Sequence, residues 1–205
     1  MLEILVNDFI KFFSSDLSTR LKEIVDERRK ICKQVLSEEN IDSAKAEDLE
    51  LVFNNFLTGD FDKGFKAAVE KYSYRNLVEH LKYFLYGSDT LEQRFDRFFL
   101  AIPELPQLAV MEVATFAQPK SFCIWDVSAK STIRYIGHSR MHGLSEDSFK
   151  DVIAGLDYVW AKLALNHVRQ ILSAYSGRKT DFVDVYLFTR YVYEEWILKK
   201  SFSDG

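Results

Sequence analysis

Proline and glycine are scarce in this chain. Three Pro and eight Gly punctuate 205 residues, and so few breakers favour long helices over a loop-rich fold. Cysteine is scarcer still. Cys32 and Cys123 lie far apart and fit no metal-ligand spacing. They read as two buried free thiols, with a reducing cytoplasm as the expected location. No window approaches 18 uncharged apolar residues, so no membrane span is expected. The N-terminal "MLEILVNDFIKFF" is apolar but interrupted by Glu3, Asp8 and Lys11, unlike a signal peptide. Nor is charge of either sign in large excess. The net charge of −4 argues against a general DNA coat protein, which is usually basic, while leaving room for a local basic patch. No nucleophile elbow, phosphate-binding Walker loop, dinucleotide glycine motif or H-E-x-x-H is present.

What is abundant is apolar and aromatic. Hydrophobic residues make up 47% of the chain, with 17 Phe and 10 Tyr, enough for a large aromatic core. Leu2, Leu5, Val6, Phe9, Ile10 and Phe13 fall on one helical face. This amphipathic helix is expected to pack against the rest of the chain or against a partner, another copy included. Ser14, Ser15 and Asp16 then offer caps for a helix to about Leu36, whose "DERRKICK" segment reads as a solvated charged face. Further helices are expected at about 45–57, 62–71 and 74–86, the last closed by Gly87 as a C′ glycine. Between the first two, "TGDFDKG" lacks the glutamate a calcium loop requires and reads as a turn with a capping aspartate.

Asp89 and Glu92 mark the start of another helix, running to about Leu100. A turn carrying Pro103 and Pro106 leads to an apolar helix at about 106–117. "SFCIW" is one short extended candidate before a helix at 127–136 that ends at Gly137. A long stretch at 146–175, marked or divided by Gly155, and a last helix capped from Thr180, Asp181 or Asp184 complete an all-α expectation of about ten helices. A soft boundary near Gly87 separates an N-terminal helical region, 1–87, from a C-terminal one, 88–205. The short connections suit one compact unit.

The chemistry-bearing stretch is "CIWDVSAKSTIRYIG". Asp126 begins a helix, where free amides and the helix dipole favour its charge. Both effects are expected to lower its pKa. Lys130 and Arg134 follow on the same face. Between Gln118 and Gly143 the charged groups are Lys120, Lys130, Arg134 and Arg140 against Asp126 alone. This local excess points to an anionic partner such as DNA or RNA, unless acidic segments balance it in three dimensions.

His138 and His142 have the spacing of a metal-binding helix face. They flank "SRM" between two glycines, where no helix is expected, and no third ligand stands out nearby beyond a guess at Glu146 or Asp147. Neither a metal nor a cofactor is expected. His80 and His167 read as single capping or packing residues. Tyr186, Phe188, Tyr191, Tyr193 and Trp196 crowd the last helix. They suit base stacking, but helical spacing of Val185, Phe188, Val192 and Trp196 favours core packing.

The order of Ile102-Pro103, an apolar helix, and then "P-x-x-x-x-I-W-D-x-x-x-x-x-x-I-R-x-I-G" resembles the helix-hairpin-helix DNA glycosylase superfamily over about residues 89–140. It is also similar to small helical domains of that kind in which the catalytic aspartate is often absent. The resemblance implies a glycosylase-like helical core with added N-terminal helices. It aligns Asp126 with the family's catalytic carboxylate, which stabilises a developing sugar cation and helps activate the nucleophile. Arg134 aligns with a mainly structural arginine. Leu108 falls where lyase-type members carry a Schiff-base lysine, and leucine forms no imine.

The hairpin departs from the family. Two glycines that bring backbone amides to a DNA phosphate are replaced by Glu104, which repels phosphate, and Pro106, which has no N–H. Three functions are therefore weighed. One is a non-catalytic or divergent glycosylase-like module binding nucleic acid or a partner that processes it. The second is a monofunctional base-excision glycosylase using Asp126. The third is a protein-interaction or oligomerisation module.

Overall fold

Among the described residues, the scarcity of breakers is realised as ten α-helices and short connections. A computed structural model describes residues 1–15, 18–54, 56–58, 62–138 and 142–199, with 62 and 63 described for the backbone alone. The chain is all-helical, and no strand occurs among the described residues. The helices are α1 (Leu2–Phe13), α2 (Thr19–Leu36), α3 (Ala46–Phe53), α4 (Asp62–Tyr72), α5 (Tyr74–Tyr86), α6 (Leu91–Ala101), α7 (Gln107–Ala117), α8 (Val127–Tyr135), α9 (Gly155–Ser176) and α10 (Phe182–Val192). No helix among the described residues is long and apolar enough to cross a membrane. Asp16, the Gly59–Phe61 part of "TGDFDKG", and Arg140 lie outside the described residues.

Two helices form the interior. On α7 every residue from Ala109 to Phe116 is buried, and on α10 every residue from Phe182 to Thr189. A helix buried on all sides shows little amphipathic contrast, and the run from Ala109 to Phe116 is accordingly apolar on every face but for Glu112 and Thr115. The other helices cover them. α1 turns Leu5, Val6 and Phe9 inward, and Phe9 meets Phe188 of α10 edge-on at 5.6 Å. The apolar face of α1 is thus used within the chain. Phe84 of α5 contacts Phe98 of α6 and Phe122 at 5.1 and 5.0 Å, so the core passes through the Gly87 boundary. One hydrophobic cluster extends from Leu5 to Val192.

Several local expectations are corrected. The box that starts α6 is Thr90 with Gln93, one position after Asp89 and Glu92. Asp89 instead accepts from the Tyr83 hydroxyl. Gly87 has φ −58°, and its lack of a side chain answers crowding, since a Cβ would lie 2.5 Å from the Tyr83 carbonyl oxygen. α3 ends at Phe53 because the amides of Leu57 and Thr58 turn away to Glu112. The stretch from 146 is a 3₁₀ turn, Asp147–Phe149, before α9 begins at Gly155. There Asp96 accepts the Gly155 amide at 2.6 Å, and a Cβ would lie 2.4 Å from the Glu92 carbonyl oxygen. α10 passes into a π-helical turn, Tyr193–Leu198, that the pattern did not announce. "DERRKICK" is not wholly solvated, because Arg28 is buried.

Candidate functional site

The site is assembled from three segments that meet at the start of α8. The first is buried residues 122–126, which follow α7 without regular structure. With no strand beside them, their polar groups bond to side chains and to other segments. The Tyr158 hydroxyl accepts the Cys123 amide at 3.0 Å and donates to the Cys123 carbonyl at 2.9 Å. The Trp125 indole donates to the Ser148 carbonyl at 2.6 Å. Asp126 is thereby delivered to the N-terminus of α8 on a rigid support. The thiols of Cys123 and Cys32 are buried and pushed up by burial to about 12 and about 11, so neither is a nucleophile at neutral pH.

Asp126 is the cap of α8. Its Oδ1 accepts the Ala129 amide at 2.9 Å. Asp126 is also one of the residues lining a pocket of about 370 Å³, with Trp125, Val127, Lys130, Leu108, Met111 and Thr58. Gln107 ties down the second segment, residues 150–153. Its amide donates to the Ile153 carbonyl and accepts the Ile153 N–H, both at 2.9 Å. Lys130 holds the same segment, donating to the Lys150 carbonyl at 2.7 Å with Asp151 at 3.6 Å. Asp151 and Val152 form the outer wall.

The expected depression of the Asp126 pKa is not found. Burial, which leaves the residue 8% exposed, raises it above the ordinary carboxylate value. The Ala129 amide, Ser128, the Asp126 backbone and the Arg190 charge offset this only in part. Desolvation outweighs the helix terminus here because the residue is almost wholly buried.

The third segment is α7, which carries Glu112, a group the sequence reading missed. Glu112 lies at the centre of α7, fully buried, and accepts the Leu57 and Thr58 amides and the Thr58 hydroxyl at 2.6–3.1 Å. Arg28 of α2 stands 3.4 Å away as its counter-ion. The signal for Glu112 was present as one acid inside the apolar run "AVMEVATFA". Nothing local announced that Arg28 would be its partner. Tyr186 and Arg190 of α10 face the same region. The Tyr186 phenol is buried and its pKa is raised, while Arg190 pairs with Glu194 at 2.8 Å.

The basic residues are largely answered in place. Lys130 is held as described. Arg134 meets Glu146 at 3.0 Å and lies 4.0 Å over the Phe149 ring. Lys120 is exposed at the far end of the 118–126 segment. The local positive excess of the sequence is therefore reduced by residues 146–151. In the turn between α6 and α7, Glu104 pairs with Lys71 of α4 at 2.5 Å. Gly64 of α4 packs so close that a Cβ would lie 2.8 Å from Pro106 Cδ. α4 thus covers residues 104–106.

The structure also gathers His138, His142 and His167, which the sequence reading separated. Their nitrogens lie within 4.8 Å of one another. Compared with family models, curated proteins and solved structures, the chain matches none of them.

Proposed function

We propose that this chain is a divergent glycosylase-like module that binds nucleic acid and receives one unstacked base in the pocket beside Asp126. The observation that carries this reading is the double placement of Asp126, as helix cap and as pocket wall. A volume of about 370 Å³ falls within the ~300–1,000 Å³ typical of small-molecule sites. Trp125, Leu108 and Met111 provide apolar faces for a flat heterocycle, and Thr58, Lys130 and Asp126 provide polar edges. The covered hairpin moves the phosphate contact elsewhere. Arg134 is half-exposed and its partner Glu146 almost fully so. An exposed pair of this kind is worth about 0–1 kcal/mol, so a phosphate can replace Glu146 at little cost.

A second reading rests on the same carboxylate. A buried aspartate that holds its proton more tightly than usual suits assistance to a nucleophilic water during N-glycosidic hydrolysis. Leu108 in the wall leaves no amine at that position for imine chemistry.

The test uses 2-aminopurine opposite a mismatch in a short duplex, and the same oligonucleotide single-stranded. Binding is expected to weaken steeply with salt and to raise the fluorescence as the base leaves the stack. Leu108→Trp, which fills the pocket, should bind but lose the fluorescence rise. Absence of salt-dependent binding to every nucleic acid tried defeats the proposal. Base release that survives Asp126→Asn removes this carboxylate from the chemistry.

A further inference from the structure

His138, His142 and His167 form a cluster that the Asp126 site does not use. α8 ends in a Schellman turn. The His138 amide bonds to the Ile133 carbonyl at 3.1 Å, the Gly137 amide bonds to that of Arg134 at 3.0 Å, and Gly137 has φ +76°. This turn ordinarily places an apolar residue at the position after the glycine. Here a histidine occupies it, with its amide held by the bond to Ile133. His142 leads into a second left-handed glycine, Gly143 at φ +67°. His167 comes from α9, 25 residues further along the chain.

The three rings face one another, with centroids 4.8–5.8 Å apart. His138 is only 9% exposed. Its Nδ1 and the Nε2 of His142 are out of water with no hydrogen-bond partner among the described residues. Buried polar atoms in folded proteins are rarely left so. A packing role explains buried rings but not two orphaned nitrogens within a cluster of three imidazoles. Burial, with the neighbouring imidazoles, lowers the pKa of His138 and His142.

The geometry points to a site in which His138, His142 and His167 bind one divalent transition-metal ion of the zinc class, tying the turn after α8 to α9. Among the described residues the cluster contains three imidazoles and no carboxylate or thiolate. An all-nitrogen set suits Zn²⁺, Co²⁺, Ni²⁺ or Cu²⁺, and not Ca²⁺ or Mg²⁺, which take oxygen. Tetrahedral bonds of ~2.0–2.1 Å place ligand nitrogens ~3.3 Å apart. From separations of up to 4.8 Å, ring movements on the order of 1 Å close the site. Three protein ligands leave a fourth position for water or a bound anion. The length of α8, ~1.5 Å per residue, separates this site from Asp126, so it stands apart from the proposed base pocket.

The test uses the full chain without an affinity tag, stripped with chelator and titrated with Co²⁺ and then Zn²⁺. The expected result is one equivalent per chain, tetrahedral ligand-field bands with Co²⁺ that Zn²⁺ displaces, and a Zn²⁺-dependent rise in Tm. Ca²⁺ and Mg²⁺ should do neither. His167→Gln and His138→Gln should each weaken Co²⁺ binding at least tenfold, and His80→Gln should leave it unchanged. If the histidine variants do not fold, X-ray absorption on the Zn²⁺-loaded wild-type chain decides. A shell of three imidazoles supports the site, and any other shell overturns it. Failure to hold one equivalent through gel filtration, or binding unaffected by His167→Gln, also overturns it.

Discussion

Arg28 on α2 and Glu112 on α7 form an ion pair at 3.4 Å with side chains 4% and 0% exposed. Arg28 also donates to the Val52 carbonyl at 2.6 Å and lies over the Phe56 ring. Glu112 gathers the Leu57 and Thr58 amides. The pair thus fastens the N-terminal helices to the centre of the C-terminal ones. Removing one partner of a buried pair strands the other charge and costs about 3–5 kcal/mol. Glu112→Gln and Arg28→Met are each expected to lose about that much in urea unfolding. The double variant should lose clearly less than the sum. Additive losses in this double-mutant cycle would mean that the two charges do not depend on each other.

The raised pKa of Asp126 sets a sign for stability against pH. The folded chain binds the Asp126 proton more tightly than the unfolded chain does. The contribution is therefore full below the unfolded value, ~3.9, and is lost as pH rises through the folded one. At neutral pH, above the unfolded value, the desolvation of this carboxyl group is a cost to stability. Asp126→Asn keeps an oxygen for the Ala129 amide, and Asn caps a helix about as well as Asp. Its Tm is expected to exceed that of the parent at pH 7, with the gap closing toward pH 4. Equal or lower Tm at pH 7 would show that the carboxylate is not under strain.

The fold was easier to read than the site because helices are specified locally. The periodicity of α1 is a short-range signal, as are the three cap candidates around the start of α10, and both helices stand there, with Asp181 the cap chosen among the three. The π-helical turn after α10 has no such signal. The interior charges follow a different rule. Arg28 lies in a run of charges and resembles its solvated neighbours. Only the arrival of Glu112, 84 positions away in the chain, distinguishes it. His167 was passed over for the same reason, since its neighbours in the cluster come from another segment. The Asp126 cap was legible, but the direction of its pKa was not. That direction depends on what covers α8, a tertiary fact.

Arg29 and Asp181 supply the opposite pH dependence. Asp181 accepts two hydrogen bonds from Arg29, at 2.6 and 2.9 Å, and caps α10 through the Val183 and Asp184 amides. Burial works to raise its pKa, but the hydrogen bond and charge of Arg29 and the cap amides together lower it. This stability is present above the unfolded value, ~3.9, and is lost as pH falls through the folded one. Asp181→Ala removes the cap, at a cost of about 0.5–2 kcal/mol, and the ion pair with it. In thermal melts from pH 7 to pH 3, the parent should lose stability toward the variant as acid is added. A difference independent of pH would assign the effect to the cap alone.

The last prediction concerns how the site is held. Tyr158 is fully buried and its hydroxyl is both donor and acceptor to the backbone of Cys123. It does for residues 122–126 what a neighbouring strand does in a sheet. Tyr158→Phe preserves the ring and its stacking on Phe95 at 4.6 Å, but leaves one amide and one carbonyl without partners. An unsatisfied buried group costs about 1–3 kcal/mol. The variant should lose stability on that scale, and the Cys123 amide should exchange with solvent faster than its neighbours on α9. Asp126 stands three residues downstream on the same support. Loosening it should therefore weaken whatever the pocket binds more than Asp126→Asn does. Unchanged exchange at Cys123 would show that the segment is held by its side chains, and that Trp125 with Ser148 suffices to place Asp126.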